Sequence, residues 1–394
     1  MGAKKGRDRR NHRPRGAPSG TRGGNIAIVK SAVAFNQLEM AGPVTQKEIA
    51  RSLGLHPSTI CLALKKDPRV PRSTLEAVQE AARKLGYVRD PMLGALSAYR
   101  NARRHKAFHG TLAWLVSTSA DYDWRKFRDY ADYFEGARQR GSELGYQLEI
   151  FDLYKHRENP DRLLGIFRAR NIRGVIVCPQ PQIDTVLDIS FERLSGVTLG
   201  YTLKSPALHS VTAYHYDSVR EIFVRLRASS YKRIGYIIPS EHDSRLNGAF
   251  LSAYLLEQAS MKPGDRIPPF TRGLHATLQA PFRAWLKKYR PDALIAANYQ
   301  VALLTEIFKL SIPDGIGVAM VAIIEGFHNF SGIDENSVGI GRTATDVVVS
   351  MVEHSETGVP VHPQRILVRG RWHEGTSLRP PLAAGSRNAV AIPA

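Results

Sequence analysis

The punctuation between Val44 and Gly86 constrains this chain more than any other stretch. The run reads VTQKEIARSLGLHPSTICLALKKDPRVPRSTLEAVQEAARKLG. Thr45 stands three residues before Glu48, the spacing of a capping box that opens a helix. Ile49 and Leu53 then share one face, and Gly54 supplies a stop. A second start follows at Pro57-Ser58-Thr59. Pro68 and Pro71 break the chain again, and Ser73 with Thr74 opens a third helix whose face carries Leu75, Val78, Ala82 and Leu85. Two short helices joined by a tight glycine turn form the unit that seats its second helix in a major groove. The stretch is therefore expected to be an all-α helix-turn-helix headpiece that contacts DNA.

Charge supports that expectation. The 394 residues carry a formal charge of +19. Residues 1–106 hold 22 Lys and Arg against 7 Asp and Glu, whereas the remaining 288 hold 33 against 29. A basic front on a nearly neutral body is the footprint of a chain that meets a polyanion at one end. Residues 1–24, rich in Arg, Gly and Pro, lack hydrophobic periodicity. They read either as a tail that adds nonspecific phosphate attraction or as sequence upstream of a start at Met40. Cys61 and Cys178 are the only cysteines, too few for a disulfide framework or a cysteine-built zinc site. No signal-peptide core or membrane-length apolar run is evident, so a cytoplasmic location and no membrane partner are expected.

From Gly110 onward the texture changes. GTLAWLVS, QLEIFDL, GVIVCPQ, GVTLGY, RIGYIIPS, DALIAANY and IGVAMVAII read as strands, with helical stretches such as YFEGARQRGSELGY and RLNGAFLSAYLLEQ between them. Repeated strand–helix–strand units predict parallel sheets covered by helices on both faces. They are too many for one ordinary sheet, so two α/β lobes are expected, with any ligand at the carboxyl ends of the strands between them.

The motifs V-T-x-K-E-I-A-x-x-L-G-L, P-S-T-I, P-R-V and T-x-x-x-V-x-x-A-A-x-x-L-G-Y occur in order over residues 44–87, followed by D-P-M-L-G-A-L. In these the chain resembles the LacI/GalR family of transcription regulators. The resemblance implies a helix-turn-helix headpiece followed by a hinge helix and a two-lobed, periplasmic-binding-protein-like sensor. It implies this division: a disordered basic extension at 1–43, the DNA-binding domain at 44–89, the hinge at 90–106, the effector-binding and dimerisation domain at 107–378, and a tail at 379–394. Thr45 and Thr59 would contact phosphates, and Pro57, Ser58 and Leu62 would face base edges. Many relatives carry Arg at the Leu62 position, so operator sequence does not transfer. Leu96 would be the lever that wedges into a minor-groove step when two hinge helices meet in a homodimer.

In the sensor, the resemblance points to Arg245 in R-x-x-G, Asn298 after DALIAA, Glu325, and Trp124 in the loop after the first strand as ligand-binding residues. The partners expected are thus a palindromic double-stranded operator, a second copy of the chain, and a small-molecule effector such as a carbohydrate, with no cofactor and no metal. The implied function is a repressor in the bacterial cytoplasm, on the nucleoid. The alternative is a ligand-independent DNA-binding protein whose sensor only dimerises. No P-loop, G-x-S-x-G or H-E-x-x-H is present, and His209, His215, His354 and His362 read as surface or turn histidines, so no enzyme is expected.

Overall fold

The computed structural model describes residues 44–64, 67, 69–87, 108–118, 122–274 and 279–380. The extension at 1–43, the hinge at 90–106 with its Leu96, and most of the tail at 379–394 lie outside the described residues. The described residues divide into two compact units, one up to residue 87 and one from residue 108. Among them, no helix is long and apolar enough to cross a membrane.

The first unit holds α1 (Gln46–Leu53), α2 (Pro57–Leu64) and α3 (Arg72–Leu85). Gly54 and Gly86, at φ 61° and 69°, end α1 and α3 in the left-handed conformation that glycine adopts without strain. Ile49, Ile60, Ala63 and Val78 form a small buried core. Only half of the expected capping box is made. The Thr45 backbone N–H and hydroxyl both donate to Glu48 Oε2, at 2.5 and 3.0 Å, so the hydroxyl caps no backbone group of the helix.

The second unit consists of two α/β lobes. In the first lobe, β1 (Gly110–Val116), β2 (Tyr146–Asp152), β3 (Gly174–Val177), β5 (Ser195–Leu199), β7 (His209–Ala213) and β12 (Arg365–Val368) form a parallel sheet. Its order is β12-β7-β5-β3-β1-β2, and β4 (Thr185–Val186) with β6 (Leu203–Ser205) makes a small separate ribbon. The second lobe has β8 (Ile234–Tyr236), β9 (Ala293–Ala296), β10 (Gly317–Met320), β11 (Ser331–Asp334) and β13 (Arg371–His373), in the order β13-β11-β10-β9-β8. Only β13 runs antiparallel, against β11.

Continuous apolar strands arise because both faces of each sheet are covered. Leu112, Trp114 and Val116 of β1 join one core with α4 (Arg128–Glu143), whereas Ala113 and Leu115 join another with α5 (Pro160–Ala169). In the second lobe, α6 (His215–Ala228), α7 (Ser240–Ser244) and α8 (Ala249–Ser260) are followed by α9 (Gln279–Tyr289) and α10 (Asn298–Glu306). Residues of α6 and α8 share a core on one face of the sheet, and those of α9 and α10 on the other.

The chain passes between the lobes three times: from β7 into α6, from β11 into α11 (Ser337–His354), and from β12 into β13. Helix α11 returns to the first lobe and lies against α4 with their backbones in close contact. A Cβ on Gly136 would stand 2.0 Å from the Val338 carbonyl oxygen, and one on Gly341 would stand 1.9 Å from that of Tyr133. The two glycines are therefore reciprocal, each making room for the other helix.

Candidate functional site

At the carboxyl ends of the strands, between the lobes, lies a cleft of about 410 Å³. Its walls come from the segments that follow β3, β5, β7, β8, β9, β10 and β11, together with the first turns of α4. On the first lobe, Phe127, Tyr130 and Tyr133 recur at intervals of three residues. Their rings succeed one another at 5.2 and 5.8 Å along the start of α4. Opposite them His215 meets Tyr201 at 5.9 Å and the edge of Phe250 at 5.2 Å, and His242 meets Tyr299 at 5.7 Å.

Two titratable residues meet where the chain crosses between the lobes. His215, in the first turn of α6, is 4% exposed, and Glu335, just after β11, is 7% exposed. His215 Nε2 stands 3.4 Å from Glu335 Oε1, and His215 Nδ1 is buried without a partner. Burial, reinforced by His242, pushes the imidazole of His215 down to about 3. Burial, reinforced by Asp129 and Asp334, pushes the carboxyl of Glu335 up to about 8. Near neutrality the pair is thus a neutral acid beside a neutral imidazole, the expected outcome when a charge cannot be solvated. Asp129 also lines the cleft, and burial raises its carboxyl above the usual range. His242 is held down to about 4, by burial and then by Arg245.

The four ligand candidates from the sequence have different fates. Arg245 lines the cleft but stands at the end of α7, not at the start of a helix. From the second lobe it reaches the first, donating through Nη1 to Pro181 O at 2.6 Å. Its Nη2 donates to Gln180 O at 2.9 Å and Tyr130 Oη at 3.3 Å. Gln180 is itself fixed: its N–H donates to Thr202 Oγ1 at 2.7 Å and its Nε2 to Cys178 O at 2.7 Å. Asn298 lines the cleft as the first residue of α10, and its Oδ1 accepts from the Tyr299 N–H at 2.9 Å. Glu325 is exposed and, like Trp124, absent from the lining, its Oε2 2.5 Å from Arg128 Nη1 of the other lobe. Trp124 is a correction. It is 2% exposed, packs against Trp114 and Phe134 in the first lobe's core, and is absent from the lining. The aromatic supply at this wall comes from α4 instead.

His215 is a second correction, being a buried cleft residue and not a surface histidine. Asp129, Tyr133 and Glu335 were not singled out from the sequence. The three-residue recurrence of Phe127, Tyr130 and Tyr133 was the signal available for that wall.

In the first unit, Pro57 and Ser58 are exposed at the start of α2. The Ser58 hydroxyl and His56 Nδ1 are 2.7 Å apart, and the Ser58 N–H donates to the same nitrogen at 3.3 Å. Thr59 is half-buried, Thr45 occupies the N-cap of α1, and Leu62 packs in part against the three-helix core.

No protein-family profile and no curated protein matches the sequence. Solved structures do match. A LacI-family transcriptional regulator from Rhizobium etli aligns with a TM-score of 0.51 at 16% identity, covering 68% of this chain and 98% of that one. The lac repressor dimer bound to operator and an anti-inducer aligns at 0.49 and 17% identity, covering 86% and 100%. The complex of the transcriptional regulator CelR with cellobiose aligns at 0.46 and 18%, covering 85% and 99%. The first of these establishes the fold: the α/β unit has the two-lobed architecture of that LacI-family regulator.

Proposed function

We propose that this chain is a DNA-binding transcription regulator of the LacI type, a repressor that reads a palindromic operator as a homodimer. A small molecule held between the lobes controls it. The observation that carries this reading is a cleft lined by aromatic rings and by the carboxyls of Asp129 and Glu335 at the strand ends of a LacI-type two-lobed fold. The same chain carries a compact unit of three short helices with Pro57 and Ser58 exposed at the start of the second. A sensor used only for dimerisation would have no need of such a cleft.

In this reading α1 and α2 form the helix-turn-helix, with Ser58 and Leu62 toward base edges and Thr45 and Thr59 toward phosphates. Residues 90–106 form the hinge and Leu96 its minor-groove lever. Residues 107–378 bind effector and the second copy, in the cytoplasm of a bacterial cell on its nucleoid. The role is regulatory and not catalytic. Effector binding changes the angle between the lobes, and linkage makes its effect on DNA affinity equal to the effect of DNA on effector affinity.

Selection of bound fragments from a genomic DNA pool by the purified full-length chain tests the proposal. The expected result is a short palindrome whose affinity falls with salt and shifts when a small-molecule extract is added. Enrichment of no common sequence would reject the regulator. A palindrome indifferent to every fraction of the extract would reject effector control alone.

A further inference from the structure

The chemistry around the cleft also constrains what fills it. Its cations are already engaged or lie at the rim. Arg245 donates to two backbone carbonyls and Tyr130. Arg128 pairs with Asp132 and Glu325, and Lys126 is exposed at the edge. Its acids are not engaged. Among the described residues, no cation pairs with Asp129, and Glu335 has only neutral His215 beside it. Glu335 is more than nine-tenths buried and lines the cavity, with His215 Nε2 3.4 Å from its Oε1 and no Lys or Arg paired with it among the described residues. The neighbouring imidazole keeps a buried nitrogen without a partner.

A desolvated acid without a cation is costly, and burial shifts it toward its protonated form. A cation brought by a ligand removes that cost. The wall beside these acids is built of Phe127, Tyr130 and Tyr133, whose faces attract a cation and lie flat against the carbon face of a ring.

We propose that the effector is a ring-framed amine, a hexosamine in its simplest carbohydrate form, whose ammonium pairs with Asp129 and Glu335 while its ring lies on the aromatic wall of α4. This rests on the cleft being the effector site. The groups that face Glu335 are Asp129 and Tyr133 of α4, His215 of α6 and Asp334 of its own strand, with His242 and Arg245 next beyond them.

The test is calorimetric titration of the full-length chain with glucosamine and galactosamine, each beside its parent sugar glucose or galactose, to millimolar concentration at pH 7. Native protein and the near-isosteric variants Asp129→Asn and Glu335→Gln are compared, with folding checked by circular dichroism. The amines are expected to bind at least about tenfold tighter than their parents, and each variant to lose about tenfold. Repeating the titration in buffers of different ionisation heat is expected to show proton release on binding, absent in Glu335→Gln. Parent sugars binding as tightly as the amines would overturn the proposal and leave the effector site standing. Amine binding unchanged in both variants would overturn it too. Absence of binding by all four also overturns it, while the extract's effect on DNA affinity judges the effector site independently.

Discussion

Buried beside one another at the junction of the lobes, Glu335 and His215 act on stability in opposite senses as pH changes. Glu335 keeps its proton in the folded chain up to about pH 8 but gives it up near 4.5 when unfolded. Its contribution therefore declines as pH rises through that interval. His215 stays neutral down to about 3 when folded but charges near 6.5 when unfolded, so it costs stability only below 6.5. Of the two, only Glu335 acts between pH 6.5 and 8. Native protein should lose about 2 kcal/mol of stability across that window, and Glu335→Gln should remove the loss. Thermal melts at half-unit intervals check this, and parallel curves for the two proteins would show Glu335 to be ionised in the fold. Such residues were hard to read in the sequence because burial of a charge runs against what composition suggests. The position of Arg245 was legible, but its partners were not. They are carbonyls of Gln180 and Pro181, and a carbonyl carries no side-chain signature.

At the level of elements, the contact between α4 and α11 depends on two glycines that a one-dimensional reading treats as helix-weakening. Gly341→Ala places a methyl group 1.9 Å from the Tyr133 carbonyl oxygen, so the helices must separate. We expect a loss of at least about 3 kcal/mol, the scale of severe overpacking. Gly165, inside α5, offers the contrast, since its nearest neighbour to an added Cβ is a flexible Arg168 side chain at 4.0 Å. Gly165→Ala should stabilise by about 0.5–1 kcal/mol. Urea unfolding of both variants measures the difference, and equal effects would contradict the backbone contact. Strands β1, β2, β3 and β5 of the first lobe were legible because sheets buried on both faces demand unbroken apolar runs such as GVIV, whereas the short β7 (HSVTA) and β12 (RILV) were not. Helix α11 was not read as a helix. SVGIGRTATDVVVSMVEH is rich in β-branched residues, and Asn336 before it has φ 59°, so neither propensity nor a capping side chain marks its start. Packing onto α4 overrides both.

For the whole molecule, the relation between the lobes turns on a few polar links. The guanidinium of Arg245 spans the cleft to a loop that Gln180 and Thr202 hold in place, whereas the pair Arg128–Glu325 is exposed and contributes less. Hydrogen bonds from a charged donor are worth about 1.5–3 kcal/mol each. Arg245→Ala should therefore shift the balance toward an open cleft by at least about 10- to 100-fold, the worth of a single such bond, without unfolding either lobe. Small-angle X-ray scattering would register a larger radius of gyration, and an unchanged value would show that Arg245 does not hold the lobes together. The three passages between lobes have a consequence for biosynthesis. The first lobe's sheet is begun by residue 110, yet its covering helix α11 starts at Ser337 and its edge strand β12 at Arg365. A ribosome must make all of the second lobe but its edge strand β13 in between, on the order of ten seconds at 5–20 residues per second. Through that interval the nascent chain presents the uncovered face of β3 and β5 to its surroundings. The late return of α11 thus leaves the first lobe unable to close until synthesis of the chain is nearly complete.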